Sequence, residues 1–82
     1  MDSGIFVLKN YGKVIITFRE AMEMRGFNRN KVAKMTGLSY NTINRYYQGD
    51  GISGVDLDVV AKICYVLQCE VGDLLKNERP AD

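Results

Sequence analysis

One pattern recurs three times along this chain: an apolar residue, a polar residue able to cap a helix, and a second apolar residue five positions after the first. Phe27 and Val32 flank Asn28, Leu38 and Ile43 flank Ser39, and Val55 and Val60 flank Asp56. At a helix start the residue before the cap packs on one in the first full turn, so each triplet reads as a hydrophobic staple that sets where a helix begins. The three starts predict helices over about 29–36, 40–48 and 57–67. Thr17-Phe18-Arg19-Glu20 adds a capping box, with Thr17 accepting from the backbone at Glu20 and Glu20 reaching back, so another helix is expected from Phe18. Its inward stripe would be Phe18, Ala21, Met22 and the alkyl stem of Arg25. Gly26, Gly37 and Gly49 each follow a helical segment, where glycine commonly ends a helix. A short fifth helix through residues 71–75 would close the core.

The predicted helix over 57–67 puts Leu57, Val60, Ile63, Cys64 and Leu67 on one face, with Asp58 near its positive N-terminus. The first sixteen residues differ. Ile5-Phe6-Val7-Leu8 and Lys13-Val14-Ile15-Ile16 read as two short strands around an Asn-Tyr-Gly turn, a hairpin that would need to pack on the helices or pair with another subunit. With 82 residues there is room for one core, and the reading divides the chain into a strand or arm (1–13), a compact helical unit (14–76) and a tail (77–82).

Several chemistries are excluded. The chain has no histidine, the commonest general base and zinc ligand, and its two cysteines, Cys64 and Cys69, do not make a zinc set or a Cys-x-x-Cys pair. Cys64 falls in an apolar helical pattern and reads as core. No nucleophile and base can be paired, and Asp56 and Asp58 are accounted for as helix-start residues, so no enzymatic activity, metal or cofactor is expected. The glycine-rich loop 49–54 lacks the lysine and threonine of a nucleotide-binding loop and reads as a connector. The longest hydrophobic run, Ile63 to Leu67, is five residues, too short for a membrane span or a signal peptide, so a cytoplasmic protein is expected.

A net charge of +1 hides a polarity along the chain. Residues 25–49 carry Arg25, Arg29, Lys31, Lys34 and Arg45 and no acid, while residues 50–82 carry Lys62, Lys76 and Arg79 against seven acids. A basic middle third suits an anionic partner, and an acidic last third would confine that partner to one face. Setting Ile43 inward on a wheel of about 100° per residue places Tyr46 and Tyr47 beside it and Asn41, Asn44, Arg45 and Gln48 outside. Asparagine and glutamine pair with adenine in the major groove, arginine pairs with guanine, and the methyl of Thr42 can meet a thymine methyl. Two asparagines and a threonine are poor helix formers, so this face gives up local stability that a Glu/Lys surface would keep. Arg29 and Lys31 fall in the first turn of the preceding helix, where the helix dipole disfavours cations and a nearby phosphate would reverse the cost. With Asn28 and Lys34 they form a clamp for a DNA backbone.

Residues 14–76 resemble the Cro/repressor-type helix-turn-helix domain of the XRE family of bacterial and phage regulators. The resemblance rests on Phe27-Asn28-Arg29-Asn30-Lys31-Val32-Ala33, on Gly37-Leu38-Ser39-Tyr40-Asn41-Thr42-Ile43-Asn44-Arg45, and on residues 56–64 leading to 69–75. It implies an all-α, five-helix, lambda-repressor-like DNA-binding domain, with the short strand or hairpin added at the N-terminus. It also implies double-stranded DNA as partner, the third helix in the major groove, and a homodimer with its two recognition helices about 34 Å apart. By motif position, base contacts fall on Tyr40, Asn41, Asn44 and Arg45, with Ser39 and Thr42 secondary, and backbone contacts on Asn28 and Arg29. Lys31, Lys34 and Gln48 complete the backbone set. Where this chain has Arg29, Lys31 and Tyr47, the family often has glutamine, glutamate and glutamate, which shifts the contact at the second helix start toward phosphate. The expected function is a sequence-specific transcriptional regulator, a repressor occupying an operator, controlled by its concentration, dimerisation or a protein antagonist. The alternative is an antitoxin or other protein-interaction module on the same fold, holding a toxin through the N-terminal hairpin or the acidic last third. An exposed apolar patch at Ile5, Phe6 and Val7 would favour it.

Overall fold

The computed structural model describes residues 11–49 and 52–80. Strand β1 (Lys13–Ile16) leads into α1 (Phe18–Met24), α2 (Arg29–Thr36), α3 (Tyr40–Gln48), α4 (Leu57–Leu67), α5 (Val71–Leu74) and strand β2 (Leu75–Glu78). The three stapled helix starts form as their local chemistry demands. The Asn28 side chain accepts from the Lys31 N–H at 2.8 Å, Ser39 from Thr42 at 3.1 Å, and Asp56 from Asp58 and Val59 at 2.8 and 3.3 Å. Val32, Ile43 and Val60 are buried, and Phe27, Leu38 and Val55 pack against the same core. Gly37 and Gly49 close α2 and α3 in the left-handed region (φ 77° and 72°), which glycine enters without steric cost. The end of α4 uses Gln68 instead (φ 55°), whose side-chain amide donates to the Tyr65 carbonyl.

The core gathers the inner faces of all five helices. Phe18 and Met22 of α1, Val32 of α2, Ile43 and Tyr46 of α3, Ile63 of α4 and Leu74 of α5 are almost wholly removed from water. The Phe18 and Tyr46 rings lie 5.0 Å apart at a tilt of 38°. The Tyr46 hydroxyl, carried into this core, accepts from the Asp56 N–H at 2.9 Å and so ties α3 to the start of α4. Ile52 also packs on the core, so the connector after α3 is anchored at one apolar residue.

Three expectations are corrected. Strand β1 is present, but its partner is β2, antiparallel, with Val14 opposite Asn77 and Ile16 opposite Leu75. The chain thus returns from α5 to close on its own beginning, and the strand expected at residues 5–8 lies outside the described residues. Strand β1 begins at Lys13, as expected, and β2 runs on to Glu78. Gly12 passes so close to β2 that a Cβ there would collide with the Glu78 carbonyl. Helix α1 begins at Phe18, but without the capping box: the Thr17 hydroxyl donates to the Asp73 carbonyl at 2.8 Å, and its N–H to the Leu74 carbonyl at 2.7 Å. A cap residue tied to a segment 56 positions away has exchanged local capping for closure of the fold. On α4, Leu57 is 79% exposed and Val59 is buried in its place, because α4 packs on both α2 and α5 and Leu57, at its first position, points past that face. Among the described residues no helix is long and apolar enough to cross a membrane.

Candidate nucleic-acid interface

Helices α2 and α3 and the turn between them form one tied unit. The Thr36 hydroxyl donates to the Val32 carbonyl at 2.7 Å and accepts from the Leu38 N–H at 3.2 Å, bridging the end of α2 to the turn. Ile43 and Tyr46 lock α3 on the core, which fixes the rotation of its outer face. That face is the one expected: Asn41, Arg45 and Gln48 are exposed, Tyr40 is 41% exposed, and Thr42 and Asn44 are half-buried at its margins. No acidic residue lies on either helix.

The side chains differ in how they are held. Ser39 is occupied as the α3 cap, and its oxygen also lies 2.9 Å from the Thr42 hydroxyl, so this pair shapes the helix start. Arg45 is exposed, its guanidinium 5.5 Å from the Tyr46 ring centre. Asn28 is occupied as the α2 cap, Lys31 extends over the Phe27 ring at 4.6 Å, and Lys34 lies in the last turn of α2. The expected backbone set is therefore spread along α2 rather than clustered at its start, with Gln48 at the end of α3.

Arg29 departs from the picture of a simple clamp. Its Nη1 donates to Asn44 Oδ1 at 2.6 Å, and its guanidinium lies 4.5 Å from the Tyr47 ring centre and 5.9 Å from that of Tyr40. Arg19 of α1 approaches the Tyr47 ring at 5.5 Å, and the Tyr47 hydroxyl donates to Glu23 Oε2 at 2.7 Å. Arg19 pairs with the same carboxylate at 3.5 Å. The Tyr47 bond holds the Glu23 carboxyl below its ordinary pKa, partly opposed by desolvation and helped by the Arg19 charge. The same bond raises the pKa of the Tyr47 hydroxyl. Sequence reasoning placed Tyr47 beside the core and left Arg19 and Glu23 out of the site, because contacts between α1 and the α2–α3 unit leave no local spacing to read.

A family model for the Cro/C1-type HTH DNA-binding domain matches residues 17–79. The chain belongs to this family. Its fold matches those of two solved structures, both at low identity. A protein from Bacteroides fragilis, described as a candidate DNA-binding protein, superposes with a TM-score of 0.68 at 20% identity, over 78% of this chain and 100% of that one. The transcriptional regulator VanUg superposes with a TM-score of 0.62 at 19% identity, over 93% of this chain and 100% of its own. No curated protein is significantly similar to the chain.

Proposed function

We propose that this protein is a sequence-specific transcriptional regulator, a repressor that occupies an operator in double-stranded DNA as a homodimer. The observation that carries the reading is the outer face of α3, where Asn41, Asn44 and Arg45 project from a helix anchored by Ile43 and Tyr46 and free of acidic residues. With α3 in the major groove, Tyr40, Asn41, Asn44 and Arg45 read base edges, and Ser39 and Thr42 sit at the margin of that contact. Asn28, Arg29, Lys31, Lys34 and Gln48 hold the flanking phosphates, and the exposed N–H groups at the α2 start add to them.

A selection from random duplex DNA at near-physiological salt tests this reading. An enriched two-fold motif supports sequence-specific binding by a dimer, with half-sites about one helical turn apart. Salt-sensitive retention without a motif reduces the function to phosphate binding. No retention moves the reading to a protein-interaction module such as an antitoxin. One observation favours that second reading: Leu57 and Tyr65 of α4 are each 79% exposed, and Tyr65 borders an apolar groove of about 240 Å³ shared with Met35, Ala61 and Val66. The toxin-holding hairpin expected at Ile5, Phe6 and Val7 lies outside the described residues.

A further inference from the structure

We propose that Arg29 is a positioning residue for base recognition: it fixes the amide of Asn44, so that the base preference read by α3 at one position depends on a residue of α2. The inference rests on the DNA-binding reading above and adds a specificity determinant to it.

A guanidinium is only a donor, so the atom of Asn44 that meets Arg29 at 2.6 Å must be the amide oxygen. The amide NH2 then points away from α2, and the amide plane is set. A free asparagine can turn over and present either its oxygen or its NH2 to a base edge, which blurs discrimination between acceptor and donor edges in the major groove. Holding the plane removes that freedom before DNA arrives.

Arg29 can do this because it is itself held. Its guanidinium lies against Tyr47 at 4.5 Å and near Tyr40 at 5.9 Å. Tyr47 is pinned through its hydroxyl to Glu23, which pairs with Arg19. A chain of contacts thus runs from α1 through the aromatic ring to the guanidinium and on to the Asn44 amide. Arginine suits the position where lysine would not, since a planar fork can stack on a ring and donate in its own plane at once. The rest of the fork stays available for a phosphate, and the two duties have different signatures. A phosphate contact adds affinity for every sequence, whereas a positioning contact changes preference at one base pair.

The test compares motifs selected from random duplex DNA by the wild-type chain and by Asn44→Ala, Arg29→Ala and Arg29→Ala/Asn44→Ala. Asn44→Ala identifies the base pair that Asn44 reads, where the wild type is expected to prefer one base by about 5- to 150-fold. Arg29→Ala is expected to flatten that same position and leave the Arg45 position sharp, with the double variant no flatter there than either single one. In the free protein the side-chain amide resonances of Asn44 should move in Arg29→Ala and stay in place in Lys31→Ala. A wild-type motif that Arg29→Ala leaves unchanged while weakening all binding evenly would overturn the positioning role and leave the DNA reading intact. A wild type that enriches no motif would overturn both.

Discussion

Helix α3 receives a hydrogen bond on each of its two faces, and each comes from the start of another helix. Inside, the Tyr46 hydroxyl, on a side chain 1% exposed, accepts from the Asp56 backbone at the start of α4. Outside, the half-buried Asn44 amide accepts from Arg29 at the start of α2. The two starts are also opposite in charge. Helix α4 carries Asp58 in its first turn, paired with Lys62 at 3.0 Å, as the helix dipole prefers, whereas α2 carries Arg29 and Lys31 and no acid. The inner contact ends on the hydroxyl of a tyrosine buried in the core and so bears on stability. The outer one joins two half-buried side chains outside the core, so its loss should cost less stability than loss of the inner one. Substitutions on the two faces should therefore separate cleanly into folding effects and recognition effects.

The largest effect on folding is expected from Tyr46→Phe, which leaves the Asp56 N–H without its acceptor and should cost about 1–3 kcal/mol in denaturant unfolding. The selected DNA motif should not change. A variant that folds as well as the wild type would show that water replaces the hydroxyl and would erase the contrast between the faces. Asp56→Ala removes an acceptor serving two backbone N–H groups and should cost about 0.5–2 kcal/mol, and Asn28→Ala, with one such bond, should fall lower in that range. Equal costs would show that the second, 3.3 Å bond adds nothing.

These caps mark the part of the molecule that was legible in sequence. A cap and its staple lie within five residues, so the starts of α2, α3 and α4 and the inward set of Val32, Ile43, Tyr46 and Val60 follow from spacing alone. What escaped was closed by contacts distant in sequence. Pairing of β1 with β2 and the bonds from Thr17 to α5 link residues about sixty positions apart, and a strand of four residues does not announce its partner. Leu57 was misplaced because a helical wheel has no ends. The site divides the same way: the exposure of Asn41 and Arg45 follows from the phase of α3, but the turn of Arg29 toward Asn44 depends on Tyr47, Glu23 and Arg19 arriving from other elements.

Lys31→Glu sets stability against recognition at the start of α2. Replacing a cation by an anion in the first turn should stabilise the free protein by about 0.3–1 kcal/mol, because the helix N-terminus carries partial positive charge. The same change should weaken binding to all duplexes, and the neutral variant Lys31→Ala should lower the salt slope by about 1. A stabilised variant with undiminished DNA affinity would remove Lys31 from the interface and leave the basic first turn without a functional reason.

The smallest effect probes the outer network without DNA. Tyr47 donates to Glu23, and this bond is the main reason the carboxyl titrates below its ordinary value. In Tyr47→Phe the Glu23 midpoint, followed by NMR, should rise toward that of an unperturbed glutamate, and Arg19→Ala should move it in the same direction by less. A depressed carboxylate stabilises the fold above its unfolded pKa and loses that contribution as pH falls through the folded one, so the network should loosen only in acid and stay intact at neutral pH. Because both groups are open to solvent, the change in unfolding free energy should be too small to resolve, while the ring of Tyr47, no longer pinned, should release Arg29 and broaden the Asn44 amide signals. A raised Glu23 midpoint with sharp, unmoved Asn44 signals would mean that Arg29 needs no support from α1, and that the outer face of α3 is organised by the α2–α3 unit alone.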